Sequence, residues 1–481
     1  MAMRTNPPLP ENSEQRFDHF VDQLAAVIGH ADRVQPMRDY CTGLLLPGER
    51  KSVEPMAARI EPRNVRSKHQ SMHHFIAEAP WSDAAVLTRV YHYALPALCA
   101  HGGVESWIVD DTGFPKKGKH SVGVARQYCG QLGKTDNCQV AVSLSLANSV
   151  ASLPIACALY LPKEWAADAQ RRKRAGVPEE IRFGTKPEMA LAQLRAAVAA
   201  GVPVGIVTAA TSFGNDTDFR DGVSALGLRY ALAVQESTTV WPKGQGPLPP
   251  PAPGPTGRPA TRLRRDAQHQ PVTVKQLALA LGQQKCRTLT WREGAQGLMQ
   301  SRFCALRVRS AHRDYTRTEP REEEWLLIEW PVGKKEPTKY WLLTLSKKTP
   351  LRKLVYAAKL RWRIERDYEE LKDEVGLGHY EGRGWRGFHH HASLCIAAYA
   401  FLVAERGLFP PGADRVRAQL RAAGVSQGYQ RPGAARAAGA PQPDVDCDVA
   451  YTVNCGTDQA PTALPVLPPS ACQYTRSIWL S

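Results

Sequence analysis

The sequence lacks the patterns that define several large protein classes. Its eleven cysteines are an odd number without any C-x-x-C pair, which argues against a disulfide scaffold and a zinc site. The longest nearly apolar run, residues 392–404, is 13 residues long, whereas crossing a bilayer takes roughly 18. The first thirty residues carry early acids instead of a signal-peptide core, and no G-x4-G-K-[ST] phosphate loop is present. We therefore expect a cytoplasmic protein without a membrane partner.

Positive charge is abundant and unevenly distributed. Lys and Arg number 62 against 46 Asp and Glu, which gives a net charge of +16 over 481 residues. Residues 258–317 alone hold 13 cationic and 3 acidic residues, a net +10. A surplus of this size favours a polyanionic partner, because neutralising phosphates releases counterions. An ordinary solvated basic surface is the alternative interpretation. A second, shorter cluster comprises Lys116, Lys117 and Lys119.

The order of the expected elements indicates an α/β protein with a mixed sheet. Residues 13–100 are typical of helices, and short strands are expected at 105–110, 138–146, 152–161, 202–208 and 230–234. Helices are expected at 187–200 and 216–226. Alternating helices and strands after three strands predict a mixed sheet with helices on its faces.

The pattern changes after residue 234. Residues 242–259 contain eight prolines, which predicts a loop or stiff linker. Residues 289–330 look β-rich, and a long helix is expected from Pro350 to about Val375. The predicted divisions are an N-terminal helical DNA-binding and dimerisation region (1–103), the first part of the α/β domain (104–235), a Pro-rich linker with a basic β-rich insertion (236–340), the second part of the α/β domain (341–407) and a loosely ordered tail (408–481).

Acidic residues on a strand and on the late helix suggest a metal site. Arg361, Glu365 and Lys372 lie within about 40° of one another around an ideal helix, although such ion pairs are also common on solvated helices. Asp110 and Asp111 end an apolar strand, where acids are rarely packed unless they are paired or bind metal. A strand Asp facing a helical Glu could hold two Mg²⁺ ions roughly 3.5–4 Å apart, which is nuclease or strand-transfer chemistry.

Two aromatic clusters admit more than one interpretation. Trp291 and Arg292, in the basic segment, could stack on a flipped or single-stranded base, although core packing of the tryptophan is an equal alternative. His389, His390 and His391 are adjacent on a predicted helix and would point in different directions. Packing, capping or phosphate contacts are therefore favoured over a joint metal site.

Several motifs resemble those of DDE-superfamily transposases of bacterial insertion sequences, in particular the insertion-sequence 701 family. They are residues 110–118 (DDTGFPKKG), 127–128 (QY) with Gly130, 133–135 (GKT), 161–162 (LP) with Trp165, 361–365 (RWRIE) and 380–383 (YEGR). Arg361-x3-Glu365-x6-Lys372 resembles the R-x3-E-x6-K part of a Y-R-E-K signature. The tyrosine position of that signature holds Ala358, with Tyr356 two residues earlier.

The resemblance implies a fold, an activity and a set of site residues. The fold would be an RNase-H-like mixed sheet with a β-rich insertion. The activity would be cleavage and strand transfer at terminal inverted repeats by a homodimer on double-stranded DNA, both transposon ends and target, with two Mg²⁺ ions (or Mn²⁺). Asp110, more than Asp111, would be the first catalytic acid and Glu365 the third, both as metal ligands. The residues expected to contact DNA are Lys116, Lys117, Lys119, Trp291, Arg292, Arg361, Lys372, Arg383 and Arg386.

The second acid of the family pattern is missing. Relatives carry A-D-x-x-[YF]-G after the fourth strand, whereas residues 209–214 read AATSFG, so Ala210 fills the acid position. Three explanations remain open: a deliberate inactivating substitution, natural decay or domestication, or a different register. We expect a nucleoid-associated transposase with impaired catalysis. A non-catalytic DNA-binding protein on the same scaffold, or an RNase-H-like nuclease without strand transfer, are the alternatives.

Overall fold

Five helices form the N-terminal part of the protein. The computed structural model describes residues 12–100, 102–252, 260–294 and 297–408. The five helices are α1 (Ser13–Ala25), α2 (Val34–Leu45), α3 (Val53–Ile60), α4 (Val65–Ala77) and α5 (Asp83–Cys99). Side chains cap two of them: Asn12 accepts a hydrogen bond from the backbone of Gln15, and Ser82 accepts one from Ala85. Each such cap stabilises a helix by about 1 kcal/mol. The helical structure predicted for residues 13–100 is confirmed.

The first six strands form one half of the sheet, and all but β2 correspond to strands that the sequence predicts. They are β1 (Ser106–Pro115), β2 (Ala125–Cys129), β3 (Lys134–Ala147), β4 (Ser152–Leu159), β5 (Ile206–Ala209) and β6 (Tyr230–Val234). The long strand β3 pairs antiparallel with β1 along one edge and with both β2 and β4 along the other. β5 pairs parallel with β1 and with β6. The antiparallel pairing of β1 to β4 and the parallel pairing of β1, β5 and β6 make this half a mixed sheet.

Six further strands extend the same sheet beyond β6. They are β7 (Thr239–Pro242), β8 (Val272–Thr273), β9 (Arg287–Gly294), β10 (Gly297–Ser310), β11 (Glu324–Glu329) and β12 (Lys339–Leu343). β12 pairs antiparallel with β6, and β11, β10, β7 and β8 follow in that order, with β9 paired to β10. The β-rich insertion therefore continues the central sheet.

Nine helices pack around the sheet. They are α6 (Lys163–Ala167), α7 (Ala169–Arg174), α8 (Lys186–Ala199), α9 (Thr211–Gly214), α10 (Thr217–Ala225), α11 (Val274–Leu281), α12 (Leu351–Lys359), α13 (Trp362–Glu369) and α14 (Trp385–Leu408), all within the described ranges. α14 packs against α5 and β4 and is buried around most of its circumference. Its apolar run, residues 392–404, therefore belongs to the core that joins the N-terminal helices to the sheet.

The single long helix predicted from Pro350 to Val375 is wrong. α12 ends at Lys359, and α13 begins after a tight turn in which Arg363 donates to the carbonyl of Leu360 at 3.2 Å. α13 is followed by a π-helical turn, Glu370–Glu374, in which Val375 donates to the carbonyl of Glu370 at 2.9 Å. Because residues 351–375 contain neither Gly nor Pro, tertiary contacts cause these irregularities.

The strand predicted at 202–208 begins later than expected. β5 starts at Ile206, because Pro203 has no N–H to donate and its carbonyl accepts a hydrogen bond from Trp107 Nε1 at 2.8 Å. Of the predicted tail, all but residue 408 lies outside the described residues, as do residues 253–259 of the predicted linker. The proposed division into five regions stays a prediction. No helix in the described ranges is long and apolar enough to span a membrane.

Candidate active site

Asp110 and Asp111 leave β1 on opposite faces of the sheet, because successive side chains alternate along a strand. Asp110 is buried on the face where Ile108 packs against Ile364 of α13. Asp111 is partly exposed and forms a 2.5 Å ion pair with Lys186, the first residue of α8. The two acids therefore belong to different surroundings, and only Asp110 faces the helix that carries Glu365.

Ala210 lies beside Asp110 at the end of the neighbouring parallel strand. The parallel register pairs Val109 with Ala209, so that the next residues along each strand are Asp110 and Ala210. Ala210 keeps an extended conformation, with φ −71° and ψ 170°, and forms the N-cap position of α9. Its side chain is consequently directed to the same face as that of Asp110. A methyl group there supplies no oxygen ligand.

The acids nearest in sequence to Ala210 have structural roles elsewhere. Asp216 caps α10 and accepts a 2.8 Å hydrogen bond from the backbone N–H of Phe219. Asp218 is exposed and pairs with Arg313 at 3.1 Å. Neither carboxylate is directed towards Asp110, so neither replaces the missing acid.

Arg361 connects the strand acid to the helix acid. Its Nη2 donates to Oδ2 of Asp110 at 2.9 Å, and its Nη1 donates to Oε1 of Glu365 at 3.3 Å. The two carboxylates therefore lie on the two ends of one guanidinium group, separated by no more than these contacts and the width of that group. The side chain of Glu365 is 71% exposed, whereas that of Asp110 is 8% exposed.

Burial dominates the electrostatics of Asp110. It raises the pKa of this carboxyl from 3.8 to about 6. The Arg361 guanidinium lowers the pKa, and the negative charge of Asp111 raises it further. A carboxyl whose pKa lies this far above its ordinary value in a buried position is typical of functional sites.

Lys372 is the second cation of the late helical segment that contacts β1. It belongs to the π-helical turn, and its Nζ donates to the carbonyl of Gly113 at 2.8 Å and to Oε1 of Gln131 at 3.4 Å. Burial lowers the pKa of its ammonium group. Arg361 and Lys372 thus lie near the two ends of one irregular helical segment. They contact β1 at Asp110 and at Gly113, which are three residues apart along that strand. Single π-turns are frequent at functional sites.

The signature tyrosine has no counterpart in this site. Ala358, at its sequence position, is buried within a cluster of apolar side chains. The hydroxyl of Tyr356 donates to Oε2 of Glu105 at 2.6 Å, before the start of β1.

The side chains around Asp110 do not fit two divalent ions. Two carboxylates, of Asp110 and Glu365, converge here, and both already bind the cation Arg361. The position predicted for the second acid holds Ala210. Within the described ranges, no group of three or more His, Cys, Asp or Glu side chains is arranged to hold a metal ion. A pair of hard cations needs bridging and flanking oxygen ligands, which this set cannot supply.

The lysine cluster forms a basic loop after β1. Lys117 and Lys119 are exposed, whereas Lys116 is half-buried and donates to the carbonyl of Tyr380 at 2.5 Å. A cavity of about 490 Å³ adjoins this loop and is lined in part by Arg50, Lys116 and Lys117. Cations from the N-terminal region and from the sheet therefore meet at one surface.

The other predicted DNA-binding residues are placed differently from one another. Arg383 and Arg386 are exposed before and within the first turn of α14, and Arg386 donates to the carbonyl of Glu78 at 2.7 Å. Trp291 packs edge-on against Phe303, with Lys359 4.3 Å from its ring. Arg292 lies 4.1 Å over the ring of Trp362. Trp291 is thus a packing residue, whereas Arg292 lies next to the start of the helix bearing Glu365.

The three histidines of α14 are buried and have separate partners. His389 contacts the backbone of Trp385, His390 the carbonyls of Ile76 and Trp81, and His391 the hydroxyl of Tyr40. This arrangement corresponds to the packing role that was favoured over a metal site.

Sequence reasoning missed the basic helix α7. Its residues 171–174 (RRKR) form a run of four cations, of which Lys173 and Arg174 are exposed. Arg171 stacks over Trp165 at 3.8 Å and donates to the carbonyl of Lys119 at 3.3 Å, so that α7 flanks the lysine loop. The four consecutive cations of residues 171–174 are visible in the sequence and indicate an exposed basic surface.

Comparison with known proteins identifies the family. A model described as DDE superfamily endonuclease matches residues 23–298, more than half of the chain, and the chain therefore belongs to this superfamily. The match includes Asp110 and Ala210 and ends before Glu365. Its endonuclease domain is RNase-H-like, which confirms the predicted fold class. Endonucleases of this superfamily generally use divalent metal ions.

A curated relative points to insertion sequences. The chain is similar to a "Probable transposase for insertion sequence element IS701" from Microchaete diplosiphon, with 31% identity over 169 residues. The alignment covers 35% of this chain and 41% of the relative, so the chain spans about two fifths of the relative's length. The resemblance to insertion-sequence transposases is thereby confirmed.

Proposed function

We propose that this protein is a DDE transposase that binds the terminal inverted repeats of its element, with DNA cleavage and strand transfer impaired by Ala210. The observation that carries the proposal is the parallel register of β1 and β5, which places Ala210 beside Asp110. Arg361 holds Asp110 and Glu365 on one guanidinium group, so the remaining acids face each other across the same site.

The geometry supports a division of roles among this chain's own residues. In a site completed by an acid at position 210, Asp110 and Glu365 would be metal ligands, with Mg²⁺ or Mn²⁺ as the hard cation that carboxylates select. In a complete site, such cations would activate a water or a 3′-hydroxyl and stabilise the leaving oxygen. Without an acid at position 210, Arg361 forms an ion pair with each of the two carboxylates instead. Arg361 and Lys372 would bind phosphates close to the scissile bond.

The DNA partner follows from the cations around the site. Lys117 and Lys119 are exposed in the loop after β1, and Arg383 and Arg386 are exposed near the start of α14. Arg292 of β9 lies over the ring of Trp362, the first residue of α13. These groups would neutralise phosphates of double-stranded DNA at the transposon ends and target. Because two ends must be joined, we propose a homodimer that works on the nucleoid in the cytoplasm.

Restoring the missing carboxylate tests the proposal. The Ala210→Asp variant should gain Mg²⁺- or Mn²⁺-dependent cleavage of DNA carrying the element's repeat ends, because position 210 is partly exposed on the same face as Asp110. Ala210→Asn is the matched control, since it has the same shape without the charge. The gain should be at least about 100-fold over the wild type, the order of magnitude that one transition-state contact supplies.

The alternative is a non-catalytic DNA-binding protein on the same scaffold. Ala210 and the ion pair of Arg361 with Asp110 favour it, because Ala210 supplies no oxygen ligand and Arg361 already pairs with a carboxylate that a metal would need. It predicts specific, salt-sensitive binding of repeat ends and no cleavage even in the Ala210→Asp variant. A nuclease without strand transfer would instead cut single ends without pairing them.

A further inference from the structure

One exposed aromatic residue lies on a hairpin next to the candidate active site. Tyr128 is in β2, at the outer edge of the sheet, and is 61% exposed. In the part of the chain that the structure describes, neither its hydroxyl nor its ring contacts another side chain through a hydrogen bond or ring stacking. Packing against the protein core therefore does not explain the exposed ring of Tyr128.

The hairpin itself is held firmly. Gln127 Nε2 donates to the carbonyl of Cys138 at 2.9 Å, and Cys129 is fully buried. Cys129 Sγ packs so closely on Gly113 that a β-carbon there would lie 2.8 Å from it. Because side chains alternate along β2, fixing Gln127 and Cys129 inwards directs Arg126 and Tyr128 outwards. The ring of Tyr128 is therefore presented on a rigid support.

The hairpin adjoins the strand and helix that carry the site. Gln131, in the turn Gly130–Leu132, lies 3.4 Å from Nζ of Lys372. Gly113, which Cys129 contacts, is three residues beyond Asp110 on β1, or roughly 10 Å along the strand. The hairpin that carries Tyr128 thus forms the rim of the site on the side of Gly113 and Lys372.

The basic loop after β1 is tied to this hairpin, which itself carries Arg126 and the ion pair of Lys134 with Asp136. Asn137, the register partner of Arg126, donates to the carbonyls of Lys116 at 2.5 Å and Gly118 at 3.0 Å, which ties the lysine loop to the hairpin. Arg171 of α7 donates to the carbonyl of Lys119 in the same loop. An exposed aromatic ring among cations on a strand edge matches the surfaces that bind single-stranded nucleic acid by stacking.

We propose that Tyr128 stacks on an unpaired base of the DNA held at this site. The inference rests on the proposed DNA-binding function and adds to it the kind of DNA bound at the rim: an end with unpaired nucleotides. Lys117, Lys119 and Arg126 neutralise the adjoining phosphates, and the ring of Tyr128 accepts the base face without hydrogen-bond readout. The contact is consequently tolerant of sequence.

Two fluorescent DNA probes separate this contact from general DNA binding. Both contain the same repeat-end duplex; one is blunt and the other carries a single-stranded overhang of mixed sequence. Binding is followed by fluorescence anisotropy at one salt concentration. Tyr128→Ala should weaken binding of the overhang probe by about 5-fold to 150-fold, the range for losing one base–aromatic stack, and leave the blunt probe unchanged. Tyr128→Phe should bind both probes like the wild type.

A matched control and the contrary outcomes complete the design. Val332 is 65% exposed in the turn between β11 and β12, so Val332→Ala removes exposed apolar surface from a different part of the protein and should change neither probe. Equal binding of the overhang probe by Tyr128→Ala and the wild type would overturn the stacking inference alone. An equal loss for both probes would also overturn it. Failure of the wild-type protein to bind either probe would overturn the proposed function as well.

Discussion

Replacing Asp110 by asparagine should stabilise the folded protein at neutral pH, although it removes the side chain that we place at the centre of the site. Asp110 is buried beside β5 and retains its charge at neutral pH only at the expense of folding free energy. Asparagine has the same shape, and its Oδ1 can still accept the hydrogen bond of Arg361. The substitution therefore removes the buried charge and little else.

The magnitude follows from the pKa of this carboxyl. Burial raises it from 3.8 to about 6, and the difference corresponds to about 3 kcal/mol, since one pKa unit is worth about 1.4 kcal/mol. Because the folded pKa lies above the unfolded one, the folded state binds the extra proton. The contribution of protonated Asp110 to the free energy of unfolding is fully present below pH 3.8 and is lost as the pH rises through about 6. Asparagine, which is neutral at every pH, keeps it.

Thermal unfolding at two pH values measures this effect. At pH 8 the free energy of unfolding of Asp110→Asn should exceed that of the wild type by about 3 kcal/mol, a gain of several degrees in melting temperature; at pH 5 about half of the difference should remain. Asp111→Asn is the matched control, because it removes a neighbouring, partly exposed carboxylate whose pair with Lys186 contributes at most about 1 kcal/mol. If Asp110→Asn melted at or below the wild type at pH 8, the ion pair with Arg361 would outweigh burial and the argument would be wrong.

Two further substitutions test the insertion and the basic helix. Lys359 pairs with the buried Glu329 at 2.7 Å, so Lys359→Met should lower the free energy of unfolding by about 3–5 kcal/mol. Adding Glu329→Gln should recover part of that loss in the same denaturation assay. If nothing were recovered, the loss would come from changed packing of the Lys359 side chain and not from the unpaired charge of Glu329. Lys173→Gln and Arg174→Gln on α7 should each reduce the slope of log affinity against log salt by about 0.9 in DNA titrations. An unchanged slope would mean that the DNA does not follow α7.

Much of the fold was predictable because local patterns and the fold agree. The capping box of Thr185 and Glu188 with Pro187 fixes the start of α8, and the periodicity of 187–200 follows from it. The change to a β-rich stretch after the prolines marks the insertion. The sequence carries no signal, however, that its strands would join the central sheet through the pairing of β12 with β6. Long-range pairing of this kind depends on contacts that no local pattern contains.

The candidate site was predictable in position and much less so in its contacts. The expectation that a strand Asp faces a helical Glu agrees with the placement of Asp110 and Glu365 about Arg361, while their roles stay predictions. The helical-wheel argument assumed one regular helix, and the turn at Leu360 and the π-turn invalidate it. Lys372 nevertheless reaches β1, because the π-turn changes its direction.

Two neighbouring residues of the insertion face the same side despite strand alternation. Trp291 has two interpretations from the sequence, stacking on a base together with Arg292 or core packing, and a regular strand would direct the two side chains to opposite faces. The register between β9 and β10 shifts at this point, so that Met299 pairs with Arg292 and Gln300 with Thr290, leaving Trp291 unpaired. Both side chains consequently face α12 and α13, through Lys359 and Trp362. A bulge of this kind redirects a side chain without any change in composition.

Arg361 gives the site a defined resting state without a second acid. With a carboxylate at position 210, three negative charges would converge beside a single guanidinium group, and a divalent cation would be needed to balance them. With Ala210, two carboxylates share one guanidinium group, so the formal charge of these three side chains is −1, compared with −2 if a third carboxylate were present. Ala210 and the ion pairs of Arg361 are therefore mutually consistent, and both agree with the proposal that this chain keeps its fold and its basic surface with impaired cleavage.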